Sequence, residues 1–199
     1  MRWKIAMVLG AVAFMGTRTY TQTSWVMDKN HSAVKFSVAH LVISEVSGLF
    51  KDFEVALTTS ADDFSDARLS AMIKTASIST ENDRRDAHLR SGDFLDVAKF
   101  PELTFVSDTF RRTGPDSYDV DGKLTLHGIT KPVTLHAVNK GKIQAFGRTT
   151  IVILAQTKIN RFDYEVKWDK KLDSGGLIAG DSVKIDITYE GQITDKGGM

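Results

Sequence analysis

Apolar and polar side chains alternate along most of the chain, which is the pattern of half-buried strands. In residues 31–40, HSAVKFSVAH, the side chains of Val34, Phe36 and Val38 fall on one face, and smaller or polar side chains fall on the other. The same period of two recurs in seven more segments, which are residues 48–57, 67–78, 101–110, 117–128, 131–141, 147–159 and 181–193. The pattern predicts eight strands.

Turn signals between these segments favour an antiparallel arrangement. Gly114-Pro115-Asp116 and Gly175-Gly176 are typical turn sequences. No regular alternation of strands with long helices supports a parallel sheet. The predicted fold class is therefore all-β, and the preferred architecture is an eight-stranded antiparallel β-barrel, because closure leaves no sheet edge exposed. A two-sheet sandwich is the alternative that the pattern leaves open.

The composition narrows the range of partners and of chemistry. The 199 residues are enough for one domain with a sizeable core. Lys and Arg number 26 against 25 Asp and Glu, so no overall positive field attracts nucleic acid, and we expect no such partner. The absence of cysteine excludes disulfides, thiolate metal ligands and a cysteine nucleophile.

The N-terminal segment MRWKIAMVLGAVAFMG places Arg2 and Lys4 before an apolar run of about twelve residues. A secretory signal contains about 7–15 apolar residues, whereas a membrane-spanning helix needs about 20. We therefore predict a signal peptide over residues 1–22, with its cleavage site left open. The barrel domain then occupies residues 23–199, is periplasmic or secreted, and has no stable membrane anchor. A buried N-terminal helix is the alternative.

The segment ENDRRDAHLRSGDF, residues 81–94, concentrates charge in a chain that otherwise alternates. Thr80 and Asp83 have the spacing of a capping box, and Gly92 is a typical helix stop. A short helix is therefore predicted over residues 81–90, near one opening of the barrel. Most of the charges then complement the helix ends or form surface pairs.

Three basic side chains of this helix are not explained by the helix ends or by surface pairs. Asp86 and Arg90 have the spacing of a surface ion pair, whereas Arg84, Arg85 and His88 lie on neighbouring parts of one face. These three side chains could contact an anionic group. A solvated helix face with no ligand is the other interpretation.

Four stretches of the chain carry a family signature, and they are DKNHSAVKFSVAH (28–40), VSGLF (46–50), SISTENDRRDAHLRSGDFLDVAKFPELTF (77–105) and DGKLTLHGITKPVTL (121–135). Together they resemble the YceI-like family, the polyisoprenoid-binding proteins of the bacterial periplasm. The resemblance covers nearly everything from Trp25 to Ile193. It implies a lipocalin-like barrel that holds a long amphiphile, such as an isoprenoid quinone, a polyprenyl phosphate or a fatty-acid derivative. It also implies export and no catalytic activity. Residues 161–181 depart most from the family's pattern, which leaves the ligand's identity open.

A barrel that holds such a tail would use apolar side chains in the inward phase of its strands, together with one behind the helix. The predicted channel residues are Val34, Phe36, Val38, Phe50, Leu57, Ile73, Phe94, Phe105, Leu124, Leu126, Val133, Leu135 and Ile151. A buried methylene contributes about 0.8 kcal/mol and an exposed ion pair about 0–1 kcal/mol, so the tail should dominate binding. Periodicity alone is equally consistent with a filled core, and only the resemblance favours a cavity.

The head group of the ligand would meet polar side chains at the opening. The predicted contacts are His40, Arg84, Arg85 and His88. His40 is in phase with the apolar side chains of its strand. A lone histidine on an apolar face is also typical of a hydrogen-bonded core residue.

Catalytic and metal-binding signatures are missing from the sequence. It contains no H-E-x-x-H pair, nucleophile elbow, P-loop or dinucleotide-binding glycine motif. We expect no catalytic residue, no metal and no cofactor besides the bound lipid, although His127 and His136 flank one turn and leave a weak metal-site hypothesis. The alternatives are an exported enzyme that uses His40 or His127 on such a lipid, and a ligand-free interaction module with a packed interior. A homodimer also stays open.

Overall fold

The sheet contains eleven strands in the part of the chain that the structure describes. The structure is a computed structural model, and it describes residues 22–173 and 175–194. The strands are β1 (Thr23–Met27), β2 (Ala33–His40), β3 (Ser44–Phe50), β4 (Phe53–Thr59), β5 (Arg68–Lys74), β6 (Ile78–Ser79), β7 (Glu102–Arg112), β8 (Ser117–Leu126), β9 (Ile129–Ala145), β10 (Arg148–Asn160) and β11 (Ala179–Thr194). They are interrupted by one α-helix, α1 (Asp83–Arg90), and by two 3-10 turns, Thr75–Ser77 and Arg161–Tyr164.

Eight of these strands close into an antiparallel barrel. The hydrogen-bonded order is β1–β4–β5–β7–β8–β9–β10–β11, and β11 pairs with β1 to complete the ring. At this closure Val26 lies opposite Gln192, and Met27 lies opposite Gly191. The predicted all-β class and the eight-stranded barrel are therefore confirmed, and the open two-sheet alternative is wrong.

The other three strands extend the wall at one end. The first half of β11 pairs with β2, where Ile185 lies opposite Phe36. β2 pairs with β3, and β3 pairs with the short β6. Because β1 leads into β2 and β3 leads into β4 through short bends, each of these two pairs acts as one long bent strand of the barrel.

The strand prediction differs from the structure in three places. The strand predicted over residues 67–78 ends at Lys74, where the 3-10 turn Thr75–Ser77 begins. The single strand predicted over residues 48–57 is divided between β3 and β4, because the backbone bends at Lys51, whose N–H donates to the Ser77 carbonyl at 3.1 Å. The strand β1 is also absent from the eight predicted segments. Its five residues contain one fully buried side chain, Trp25, between exposed neighbours, which is too short a run for alternation to stand out.

The N-terminal predictions lie almost entirely outside the described residues. The signal peptide predicted over residues 1–22 overlaps the described chain only at Gln22, so it stays a prediction. Within residues 22–173 and 175–194, no helix combines the length and the apolar character that a membrane crossing requires.

Large side chains fill one end of the barrel completely. Trp25 stacks on Phe64 with ring centroids 6.3 Å apart, and Phe64 meets Tyr118 edge-on at 6.4 Å. Leu57 and Ile151 are fully buried in the same core cluster. We call Trp25, Leu57, Phe64, Tyr118 and Ile151 the aromatic plug, and it closes this end.

The loop between β4 and β5 delivers Phe64 to the plug. Asp66 organises this loop by accepting hydrogen bonds from the Ala61 N–H at 3.0 Å, the Thr59 hydroxyl at 2.8 Å and the Ser60 N–H. These hydrogen bonds, led by the one from Ala61, lower the pKa of Asp66 to about 2. Phe64 itself has a φ of +58°, an uncommon value that the surrounding contacts must hold in place.

Replacing Phe64 by alanine should destabilise the protein severely. The side chain is almost fully buried, so its removal leaves a cavity and should lower the free energy of unfolding by about 3–5 kcal/mol. Urea denaturation of both proteins measures the difference. Phe146→Ala is the matched control, because Phe146 also has a positive φ but is fully exposed, and its loss should change stability by less than about 0.5 kcal/mol. Equal effects of the two substitutions would show that the plug is not needed for stability.

Candidate functional site

The end of the barrel away from the aromatic plug encloses a cavity of about 680 Å³. Side chains of every strand except β1 form its walls, and α1 lies at its opening. This volume falls within the range of roughly 300–1,000 Å³ that is typical of small-molecule sites. The interior is therefore not packed solid by the protein's own side chains.

Most of the predicted channel residues line this cavity. The structure places these eleven in its walls: Val34, Phe36, Val38, Phe50, Ile73, Phe94, Phe105, Leu124, Leu126, Val133 and Leu135. Leu57 and Ile151 do not line it, because they lie too far toward the closed end and are part of the aromatic plug. Periodicity assigns a residue to a face of the sheet, but it does not give the residue's depth along the barrel.

Several strands supply wall residues that sequence reasoning missed, and two of them supply three each. These are Ile153, Ala155 and Ile159 from β10 and Val183, Ile185 and Ile187 from β11. Each set follows the inward phase of a strand that was itself predicted, so continuing the alternation along both strands would have found them.

Two glycines keep the aromatic side chains of the wall out of the centre of the cavity. A Cβ on Gly48 would lie 2.5 Å from Phe36 Cζ, and a Cβ on Gly122 would lie 2.5 Å from Phe105 Cζ. Both rings therefore lie flat across a neighbouring strand at positions that only glycine permits. The space that the rings would otherwise fill stays open.

The ionisable side chains of the cavity lining are basic, apart from Tyr189 at its inner end. Among the described residues that line the cavity, no Asp or Glu occurs, and the basic ones are Lys35, His40, Arg84, Arg85, His88 and Arg161. All four predicted head-group residues are in this set. The structure brings His40, on β2, to the same opening as the three side chains of α1.

Arg85 and Asp86 mainly attach α1 to the barrel. The Arg85 guanidinium donates to the Thr80 hydroxyl at 2.7 Å and to the Thr80 carbonyl at 2.9 Å. Asp86 accepts hydrogen bonds from the Thr80 N–H and hydroxyl. Burial alone would raise the pKa of Asp86, but these bonds and the charges of Arg90 and Arg85 outweigh it and hold the pKa below its usual value.

Three details of the helix prediction are therefore wrong. The residue that caps the helix is Asn82, whose side chain accepts from the Arg85 N–H at 3.0 Å, because Thr80 is already engaged with Asp86. Asp86 is buried instead of forming a surface pair, and Arg90 donates to backbone carbonyls beside β6. The helix itself begins at Asp83 instead of at residue 81 and ends at Arg90.

Arg84 is a cation at the opening that has no bonding partner among the described residues. Its exposed side chain lines the cavity and makes no hydrogen bond or ion pair with any other described residue. His88, one turn further on, bonds the Asp93 carboxylate through Nε2 at 2.7 Å and packs edge-on against Phe94 and Trp168. Arg84 is therefore free to reorient, whereas His88 is held.

The remaining histidines do not form a catalytic or metal site together. His40 Nδ1 lies 3.1 Å from the Ile178 carbonyl oxygen. His127 packs on Phe100 with ring centroids 4.2 Å apart and does not line the cavity. His136 bonds the Asp119 carboxylate on the outer surface, seven residues along β9 from the turn that holds His127, or roughly 20 Å at about 3.3 Å per residue.

The described residues contain one cluster with the spacing of metal ligands, made by Asp28, His31 and Glu190. A hydrogen bond to Asp28, supported by the charges of Asp28 and Glu190, raises the pKa of His31. The Gln192 amide also donates to Asp28 at 3.0 Å and to Glu190 at 3.3 Å. The cluster is thus satisfied by its own hydrogen bonds.

Comparison with known proteins assigns the chain to a family. Residues 25–191 match the YceI-like domain. The chain belongs to the YceI-like family. A UPF0312 protein of Staphylococcus aureus strain MSSA476 is 34% identical over 177 residues, which cover 87% of this chain and 99% of that protein. The predicted family is therefore confirmed.

Solved structures agree with the barrel of this YceI-like chain. The Campylobacter jejuni YceI protein superposes with a TM-score of 0.67 at 29% identity, covering 78% of this chain and 90% of that one. A polyisoprenoid-binding domain from Saccharophagus degradans gives a TM-score of 0.62 at 16% identity, covering 86% and 98%. The second likeness shows a shared fold.

In this YceI-like chain, residues 161–173 and 175–181 build one side of the opening around a buried arginine. The Arg161 guanidinium donates to the carbonyls of Val166, Trp168, Ala179 and Gly180. Burial lowers the pKa of Arg161, although nearby carboxylates partly offset this effect. Sequence reasoning missed this residue, because a single arginine after a strand carries no pattern that indicates burial.

Replacing Arg85 by alanine should reduce stability, whereas replacing Arg84 by alanine should not, because only the Arg85 side chain is bonded to other described residues. Arg85→Ala loses two hydrogen bonds to Thr80, which should lower the free energy of unfolding by about 1–2 kcal/mol. Arg84→Ala is the control on the same helix and should change stability by less than about 0.5 kcal/mol, since its side chain has no partner. Thermal unfolding followed by circular dichroism measures both. A stability loss confined to Arg84→Ala would contradict this assignment.

Proposed function

We propose that this protein binds a long-chain amphiphile inside the barrel and carries or sequesters it. The observation that carries the proposal is a cavity of about 680 Å³ with aliphatic and aromatic walls and with cationic side chains gathered at its opening. A ligand that fits both features has an apolar tail and a polar head. Isoprenoid quinones, polyprenyl phosphates and fatty-acid-like lipids are the candidate classes.

The tail would supply most of the binding free energy. Each buried methylene contributes about 0.8 kcal/mol before the costs of association and ordering are subtracted. A water molecule occupies ~30 Å³ in the liquid. If each chain carbon occupies a similar volume, the cavity holds roughly twenty carbons. A fatty acyl chain or a short isoprenoid tail would fit inside, and a longer tail would extend through the opening.

The head group would lie between α1 and β2. Of the four predicted head-group residues, Arg84 is the one that is free to meet it, while Arg85, His88 and His40 already have protein partners and provide a fixed basic surround. A phosphate or carboxylate suits this surround, because Arg84 has no carboxylate partner and the lining supplies none.

Two further observations support a binding role outside the cytoplasm. The N-terminal sequence has the composition of a signal peptide, which is the basis for proposing a periplasmic or secreted protein. The domain from Saccharophagus degradans that shares this fold is named as polyisoprenoid-binding. We propose no catalytic residue and no cofactor other than the bound lipid.

Extraction of the purified protein with organic solvent, followed by mass spectrometry, tests the proposal. The protein should be isolated from the compartment of a native host in which it matures. A long-chain lipid recovered in stoichiometric amount supports binding and carriage. Recovery of no lipid from folded protein would favour the ligand-free interaction module, and recovery of a shortened or modified lipid would favour the exported enzyme.

Ala155→Trp should abolish lipid binding without unfolding the barrel. Ala155 lines the cavity, so an indole at this position would occupy the space of the tail and introduce no buried charge. Titration with the fluorescent fatty acid cis-parinaric acid measures the loss, which should exceed tenfold in affinity, or about 1.4 kcal/mol.

The neighbouring substitution Leu154→Trp is the control for this test. Leu154 points to the outer surface of the same strand, so its replacement should leave the affinity unchanged. Thermal unfolding of both variants checks that the fold is retained. Equal affinities of the two folded variants would mean that the fatty acid binds elsewhere.

Arg84→Ala should weaken anionic ligands selectively. An ion pair at an exposed opening contributes about 0–1 kcal/mol, so the affinity for cis-parinaric acid should fall by up to about fivefold. The methyl ester of the same acid has the same tail without the charge, and its affinity should not change. If the ester loses affinity equally, Arg84 does not recognise the head group.

A further inference from the structure

Three consecutive aliphatic side chains stand exposed at the tip of the β2–β3 hairpin. Leu41 is 38% exposed, Val42 68% and Ile43 90%. They lie outside the cavity lining, and the strands on either side of them alternate normally. We call these three residues the hairpin tip.

The backbone of the hairpin tip is poorly suited to the residues that occupy it. Leu41 has a φ of +53° and Val42 a φ of +69°. Two consecutive residues with positive φ favour Asn and Gly, and a β-branched residue such as Val42 is an outlier there. Two aliphatic side chains are therefore held at a cost in backbone energy and are also exposed to water, which points to a role outside the folded protein's own stability.

The hairpin tip forms part of the rim of the cavity. It directly follows His40, which lines the opening. The Leu41 N–H donates to the Ile178 carbonyl at 2.9 Å, and Val42 packs so closely over Gly176 that a Cβ there would lie 2.8 Å from Val42 Cγ2. The apolar tip is thus continuous with the segment that walls one side of the opening.

Three cations without an ion-pair partner among the described residues lie at the same rim, and one of them, Lys170, lies over the Trp168 ring at 6.0 Å from its centroid. Arg84, Lys170 and Lys171 are exposed and make no ion pair with any residue in the described part of the chain. Asp169 and Asp173 flank the two lysines, so the rim carries both signs of charge. Apolar contact should therefore contribute more to docking than electrostatic attraction, with the cations adding to it where the surface is anionic.

We propose that the hairpin tip docks this opening onto the surface of a phospholipid bilayer, so that the ligand passes between membrane and cavity without crossing water. The proposal rests on the lipid-binding function proposed above. Three side chains cover far less than the roughly 800 Å² that each partner contributes to a stable protein interface. Association with a membrane surface has no such area threshold, because its strength scales with the apolar area inserted and with the attraction of basic residues to anionic lipids.

A triple variant tests the docking surface directly. Leu41→Asn, Val42→Gly and Ile43→Thr together remove the apolar tip and place residues suited to positive φ in the turn. We expect co-sedimentation with vesicles of phosphatidylcholine and phosphatidylglycerol to weaken by tenfold or more. We also expect the thermal unfolding midpoint to stay the same or rise, which distinguishes lost docking from lost folding.

Phe146→Asn is the matched control at the other end of the barrel. Phe146 is also a fully exposed apolar residue with a positive φ, in the turn between β9 and β10, where the neighbouring Lys142 pairs with Asp62 of the plug-bearing loop. Its replacement should leave vesicle binding unchanged. Vesicle binding by the triple variant that equals that of the unmodified protein, or an equal loss in Phe146→Asn, would overturn the proposal.

Comparing ligand uptake from solution with uptake from vesicles separates membrane docking from lipid binding. The triple variant should take up cis-parinaric acid added directly in solution as the unmodified protein does, but should take it up more slowly from vesicles. If the unmodified protein fails to bind the free fatty acid, fatty-acid binding is contradicted, while co-sedimentation still decides whether the hairpin tip docks on membranes.

Discussion

The structure depends on the pairing of β11 with strands on both of its edges. Its sixteen residues pair with β10 along one edge, and with β2 and then β1 along the other. This single long strand joins the first part of the chain to the last and closes the ring. Because β1 and β2 share its second edge, the bend between them divides the barrel wall into two parts. One part surrounds the filled end and the other surrounds the hollow end.

The two ends differ because of the side chains that each directs inward. The rings of Trp25, Phe64 and Tyr118 meet one another across the filled end, and Phe64 reaches them from a loop that Asp66 organises. At the hollow end, small residues such as Ala155 alternate with aliphatic ones, and the phenylalanines lie flat over glycines. Close packing at the first end supports the wall around the second, where the interior makes few contacts with itself.

Some charges near the opening hold the protein together and others are free to meet a ligand, and sequence spacing cannot tell the two groups apart. On one side of the opening, Arg85 and Asp86 bond Thr80, and Arg90 bonds the backbone of β6. On the other side, Arg161 donates hydrogen bonds to four backbone carbonyls. These side chains hold the two sides of the opening in position. Arg84 has none of these bonds, so its cation beside the apolar cavity is free to reorient. Bonded side chains therefore hold both sides of the rim, while Arg84 stays adaptable.

The sequence by itself determined the all-β class, the number of strands in the ring and the family, because alternation and the four signature stretches are local properties of the chain. Only the tertiary structure decided which inward residues face empty space. Leu57 and Leu124 are both apolar and both point inward, yet the first lies in the plug and the second lines the cavity. Their difference is depth along the barrel axis, which depends on strand register and on the loop that carries Phe64. The charged helix shows the same limit, since the burial of Asp86 depends on where β6 places Thr80.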